Sequence, residues 1–242
     1  SKLGIPSMKF NWRGEPLLNP KFPEIVDYAK QKGILETLIN TNATKLDEKM
    51  SIEIIKSGLD IMIYSFDGGT KKTYEKMRPS RFKSNKFEDV LKNIRQFSEI
   101  RKQRMKKFPI TKIQMVLTNE SRKEINDFYD LFSTCVDDVT VTQYTERGGN
   151  LESISKDKKD KLINYLNENN LDKNTNFYVG ADEEVYISIE RKPCDQLFQR
   201  LMITFDGRVA MCCHDWGAQH CLGFIDKRAF EIDKTVKELE RN

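Results

Sequence analysis

Two groups of residues in this sequence have the types and spacing to do chemistry. The first opens with Trp12-Arg13-Gly14-Glu15-Pro16-Leu17-Leu18. Gly14 allows close backbone approach to a ligand, Glu15 supplies a carboxylate suited to an ammonium group, and Pro16 fixes the turn. Alone, the Gly-Glu-Pro triplet equally fits an ordinary strand-to-helix turn. Further on, Tyr64-Ser65-Phe66-Asp67-Gly68 is followed by Tyr74 and Arg78. Asp67 fits a proton acceptor for a substrate, and equally a turn aspartate that caps Thr70.

The second group is rich in thiols. Of five cysteines, Cys194, Cys212, Cys213 and Cys221 all follow residue 193. An odd number crowded at one end, with an adjacent pair, suits metal ligation in a reducing compartment better than a disulfide framework. The Asp206-Gly207 pair predicts a hairpin turn whose second strand delivers Cys212 and Cys213 at its end, where they can share a metal with Cys194. Such thiolates suit zinc or an iron-sulfur cluster, and His214, His220 and Cys221 offer enough donors to complete a zinc site. Cys135 sits in a helix-to-strand connection and reads as a small buried apolar residue.

Both groups need a scaffold. From Phe22 to about Thr145, short apolar runs alternate with amphipathic stretches, which predicts β-α units and a parallel sheet covered by helices. Strands are expected at Met8–Trp12, Leu35–Asn40, Ile61–Phe66, Ile113–Leu117 and Val139–Tyr144. Helices are expected at Pro23–Lys32, Asp47–Ser57, Phe87–Arg104, Arg122–Phe132 and Lys156–Asn169, with Asp47 as a cap and Gly33 and Gly58 at helix ends. The strand ends carry Arg13–Pro16, Thr41–Asn42, Ser65–Gly69 and Thr118–Asn119. Ligands bind at the carboxyl edge of parallel strands, so these segments should converge. Composition shifts after Asn150, and a cysteine-bearing β-rich tail begins near Val185 or Pro193.

At 242 residues, 38% of them hydrophobic, the chain is long enough for a sizeable core. Its 41 basic residues nearly balance 37 acidic ones, so the net charge of +4 points to no nucleic-acid partner. The basic runs Arg101–Lys107 and Lys156–Lys161 are taken as solvated helix faces. Leu59–Phe66, among the longest apolar stretches, falls far short of the roughly 20 residues of a membrane helix, and no signal peptide is evident. A soluble cytoplasmic protein without a membrane partner is the expectation.

The order of the first group, completed by the amphipathic Phe87–Phe97, resembles the radical S-adenosylmethionine (SAM) partial barrel over most of residues 8–145. The resemblance implies an α/β fold, a partial (β/α) barrel. It implies that Gly14, Glu15 and Pro16 receive the SAM amino group. Ser65, with Asn40 and Thr41, would lie near its ribose or carboxylate, and Arg78 near the carboxylate. SAM presents an amine, a carboxylate and a ribose, so its site calls for an acid, a base and hydroxyls on rigid strand ends. The tail looks like the start of a SPASM or twitch-like hairpin domain: Cys194, twelve residues, Gly207, four residues, Cys212, then Asp215 and Leu222-Gly223. That implies Cys194 and Cys212, with Cys213 as a candidate, as ligands of an auxiliary [4Fe-4S] cluster, and it gives Cys221 no role. The resulting division is a barrel over 1–184 and a SPASM-like domain over 185–242.

One part of the family pattern is missing. Radical SAM enzymes hold a catalytic [4Fe-4S] cluster with a C-x3-C-x2-C triad upstream of the Gly-Glu-Pro motif, and no cysteine here precedes Cys135. The expectation is that this is the central part of a longer protein, with a cluster-free natural relative as the alternative. For the intact protein the resemblance implies an oxidoreductase driven by a 5′-deoxyadenosyl radical and supplied with electrons by a donor such as flavodoxin or ferredoxin. Few cysteines in the tail lean towards one auxiliary cluster and a small alcohol or sugar substrate, with peptide maturation of the ribosomal-peptide or sulfatase type next. Substrate-specific contacts are expected within Lys173–Glu190. The rival from another class is a non-catalytic scaffold with a zinc-bound tail.

Overall fold

Strands and helices alternate through the first half of the chain because apolar side chains recur at every second position in some segments and at helical spacing in others. In the computed structural model, residues 4–79, 86–143 and 194–226 are described, with 164, 167–168, 176–179 and 185–188. The strands β1 (Ser7–Lys9), β2 (Glu36–Thr41), β3 (Ile61–Ser65), β4 (Ile110–Leu117) and β5 (Asp138–Gln143) form one sheet in sequence order, every pair parallel. Helices α1 (Phe22–Gln31), α2 (Glu48–Ser57), α3 (Lys71–Met77), α4 (Phe87–Gln103) and α5 (Ile125–Phe132) occupy the connections. The fold is α/β, with the parallel sheet of a partial barrel. Asp47 caps α2 by accepting from the Met50 amide at 2.8 Å, and Gly58 ends it in the left-handed region. Expected helix 122–132 is a single 3-10 turn, Arg122–Glu124, followed by α5. The helix expected at 156–169 lies largely outside the described residues.

The helices cover one face. Along β2, β3 and β4 buried residues alternate with half-exposed ones, apart from exposed Glu36 and the half-exposed pair Val116-Leu117 that ends β4. Ile39, Met62, Tyr64, Ile113 and Met115 are wholly or almost wholly buried against Val26 of α1, Ile54 of α2, Ile94 and Phe97 of α4, and Phe128 and Phe132 of α5. The other face carries Leu38, Asn40, Ile63, Ser65, Lys112, Gln114 and Val116, none fully buried. A parallel sheet buried on both faces would be apolar throughout, so this polar mixture belongs to a surface that meets solvent or a ligand.

The amino-terminal edge of the sheet is locked by one arrangement used twice. Asp60 accepts from the Thr37 amide and hydroxyl and from Lys30, each at 2.8 Å. Asp137 accepts from the Thr111 amide at 2.7 Å and hydroxyl at 2.8 Å, and from both Arg101 terminal nitrogens at 2.5 and 3.0 Å. Each pins the start of one strand to the start of the next and to a helix cation. Burial opposes ionisation of Asp137, but the Arg101 and Thr111 hydrogen bonds outweigh it and bring its pKa down to about 2.

The chain divides into two compact units, Ser1–Tyr144 and Thr145–Asn242. In the second, β6 (Asn176–Val179) pairs antiparallel with β7 (Val185–Ser188). A separate antiparallel sheet has the order β10 (Cys221–Phe224), β9 (Arg208–Ala210), β8 (Met202–Ile203). The expected Asp206-Gly207 turn joins β8 to β9, with Gly207 at φ +84°. Among the described residues no helix is long and apolar enough to cross a membrane.

Candidate functional site

At the carboxyl edge of the sheet the turn after β1 is tied to the end of β2 through one side chain. Glu15 accepts from the Thr41 hydroxyl and the Asn42 amide, both at 2.6 Å, and from the Leu17 amide at 3.1 Å. Its carboxylate therefore caps the Pro16–Leu18 turn and spans two strand ends at once. Thr41 is buried and spends its hydroxyl on Glu15, while accepting from the Ala43 amide at 3.0 Å. Gly14 stands at φ +78°, and a Cβ there would meet no atom within 4 Å. Open ground beside a left-handed glycine leaves room for a ligand to reach the backbone.

Asn40 precedes Thr41 on the half-exposed face. Its amide donates to Asn11 Oδ1 at 2.8 Å, and its own Oδ1 is buried with no hydrogen-bond partner among the described residues. Buried polar atoms are nearly always paired, so an orphaned acceptor at a strand's carboxyl end is a place for a ligand's donor. Ser65 ends β3 on the same face, paired in register with Gln114.

The segment after Ser65 is held by two carboxylates. Asp67 accepts from the Val116 amide at 2.9 Å with one oxygen, and from Arg78 Nε at 2.9 Å and Nη2 at 2.7 Å with the other. Asp67 does not cap Thr70. Glu124 does that work instead, because its geometry lets one carboxylate reach four donors: the Gly69 amide at 2.9 Å, the Thr70 amide at 3.0 Å and hydroxyl at 2.9 Å, and the Thr73 hydroxyl at 2.6 Å. Burial opposes ionisation of Glu124, but the Thr73 and Thr70 hydroxyls and the two amides outweigh it and hold its pKa below the usual range. A Cβ on Gly69 would lie 2.5 Å from the Glu124 carbonyl oxygen, so only glycine permits this approach. Glu124 has no signal in the sequence that marks it, since its partners lie more than fifty residues away. From below, Phe66 lies tilted against Tyr74 and edge-to-face with Phe132 and Phe87, with centroids 4.2, 4.9 and 5.5 Å away.

The thiols are a different case. Cys212 and Cys213 follow β9, and Cys221 opens β10 opposite Ala210. Their turn is organised by buried Asp215, which accepts from the Met211 amide at 3.4 Å and the His220 amide at 3.1 Å, while its own amide donates to the Cys212 carbonyl at 3.2 Å. Cys194 and Cys221 are exposed, and His214 and His220 are exposed too. Among the described residues no three of His, Cys, Asp or Glu converge to hold a metal ion. Half-buried Cys135 packs against the core, its thiol pushed up by burial. Two surface hollows, of about 330 Å3 beside Glu48–Glu53 and about 390 Å3 beside Gly69 and Asp130, are not lined by Glu15, Asn40 or Ser65.

The parallel sheet, with its Gly-Glu-Pro turn and an orphaned acceptor at the carboxyl edge, has the α/β fold of a partial (β/α) barrel. The family model for the radical SAM superfamily matches residues 13–132. Residues 13–132 thus match a radical SAM domain. Fe-coproporphyrin III synthase of Methanosarcina barkeri is 33% identical over 78 residues, which are 32% of this chain and 19% of that protein. Streptococcus suis SuiB bound to the precursor peptide SuiA has the same fold, with a TM-score of 0.56 at 17% identity over 93% of this chain and 51% of SuiB. SuiB bound to S-adenosylmethionine superimposes with a TM-score of 0.54 at 16% identity, over 93% of this chain and 52% of SuiB. The chain thus spans about a fifth of the first relative and about half of SuiB.

Proposed function

We propose that this chain is the SAM-binding core of a radical SAM enzyme, an oxidoreductase that removes hydrogen from its substrate. The observation that carries the reading is the carboxyl edge itself: open ground at Gly14, a turn fastened by Glu15 to Thr41 and Asn42, and the unpaired Oδ1 of Asn40. These residues fit SAM, whose amino group and ribose hydroxyls supply the donor that Asn40 lacks. Gly14–Pro16 receive the amino group, and since Glu15 is occupied by three internal donors, its part is to hold the turn's backbone against the ligand. Ser65 lies near the ribose and Arg78 near the carboxylate. With a reducing [4Fe-4S] cluster beside it, SAM held at this edge would supply the 5′-deoxyadenosyl radical that abstracts the substrate's hydrogen.

The barrel is read over 1–184, with 1–144 as its compact unit, and a SPASM-like module over 185–242, with Cys194, Cys212 and Cys213 as auxiliary-cluster ligands on the strength of their spacing. A peptide substrate draws support from the SuiB likeness, one of whose structures holds a precursor peptide. A small alcohol or sugar is the second reading, favoured by the cysteine-poor tail. A cytoplasmic location and a flavodoxin- or ferredoxin-type donor go with either. The test is the full-length protein, prepared anaerobically and given SAM and dithionite, assayed for 5′-deoxyadenosine. Formation of the nucleoside is expected. None formed, with one zinc and no acid-labile sulfide bound, would replace the enzyme by a zinc-stabilised scaffold.

A further inference from the structure

Resting on the placement of Arg78 near the SAM carboxylate, we infer that Asp67 is a positioning residue that orients Arg78, and not a proton acceptor. Both oxygens of Asp67 are committed. One takes the Val116 amide at 2.9 Å, and that bond fastens the carboxylate to the end of β4. The other takes Nε and Nη2 of Arg78 at 2.9 and 2.7 Å. The two side chains are only 13% and 22% exposed, so the pair is largely withdrawn from water, where its charge-assisted hydrogen bonds are strong.

A guanidinium is a rigid planar fork with five donors. Taking its Nε–Nη2 edge fixes the plane and direction of the whole group, and the anchor to Val116 ties that direction to the sheet. Arg78 is the C-cap of α3, where its amide donates to the Tyr74 carbonyl at 2.9 Å, so its backbone is held as well. Ser65 lies two residues before Asp67 at the end of β3. Hydroxyl, carboxylate and guanidinium therefore belong to one continuous edge, and the cation acts on a ligand carboxylate in an orientation that Asp67 dictates. An aspartate whose oxygens carry two hydrogen bonds and an ion-pair contact within the protein is poorly placed to accept a substrate proton.

The experiment measures affinity for SAM and for 5′-deoxy-5′-methylthioadenosine, which keeps the nucleoside and sulfur but has no amino acid end. It uses the full-length protein with its cluster and without reductant. Asp67→Asn retains an oxygen for Val116 and turns an amide donor towards Arg78. It is expected to weaken SAM ~tenfold, about one charge-assisted hydrogen bond, and to leave the thionucleoside within ~twofold. Arg78→Lys, which keeps the charge and loses the fork, should show the same pattern and serves if Asp67→Asn does not fold. Unchanged or tighter SAM binding in Asp67→Asn, or equal weakening of both ligands, overturns the inference while a SAM-selective loss in Arg78→Ala leaves the Arg78 placement standing. Unchanged SAM affinity in Arg78→Ala removes Arg78 from the site, and the inference goes with it.

Discussion

Glu15 joins three segments through a single carboxylate, accepting from Leu17, Thr41 and Asn42. Glu15→Ala should therefore lower stability by about 1–2 kcal/mol in urea unfolding, as hydrogen-bonded donors lose their partner, and should also weaken SAM binding. Loss of affinity with unchanged stability would mean that the carboxylate touches the ligand and does not merely hold the turn. The residue types of this site were legible in the sequence because Gly-Glu-Pro and Ser-Phe-Asp-Gly are local patterns. Their partners were not, since Thr41 and Glu15 are 26 positions apart. Asp137 gives a pH prediction. Its folded pKa of about 2 lies below the unfolded carboxylate value of about 3.9, so its stabilisation is fully present above pH ~4 and is lost as pH falls towards 2. Because its side chain is 37% exposed, the contribution is put at only about 1 kcal/mol. Urea midpoints between pH 7 and 2 should fall more steeply for the wild type than for Asp137→Asn.

The element that matters most is the passage from β3 into α3. Glu124 collects its amides and hydroxyls, Phe66 plugs it from below, and Gly69 admits the start of α5 at contact distance. Gly69→Ala would press a methyl to 2.5 Å from the Glu124 carbonyl oxygen and 2.9 Å from the Phe128 amide. Backbone cannot yield cheaply, so a loss of about 2–3 kcal/mol is expected, read as a lower thermal midpoint. An unchanged midpoint would show that α5 can move away. All five strands of the sheet were foreseeable from apolar alternation, and α1, α2 and α4 from helical spacing. α3 was not, because Lys71–Met77 is short and mostly polar, and what makes it a helix is its Thr70 cap together with burial of Tyr74. The doubled Thr-Asp-cation lock at the opposite edge was likewise invisible, since each lock is assembled from three separate elements.

Over the whole molecule, helices cover one face of the first unit's sheet and leave the other half-exposed and partly polar, as a chamber for a ligand requires. In the second unit the hairpin that sets Cys212 and Cys213 after β9 follows the Asp206-Gly207 signal, whereas the role of Asp215 in shaping their turn came only with the structure. The thiol assignment predicts that Cys212→Ala in the full-length protein lowers bound iron by about one cluster's worth. Undiminished iron and sulfide would take Cys212 out of the ligand set. The central claim, that the carboxyl edge of the sheet is the SAM site, is tested most directly by amide hydrogen exchange on the full-length protein with and without SAM. Slower exchange concentrated at residues 14–17, 40–42 and 65–68 is the predicted result. Binding of SAM without protection in those segments would contradict it.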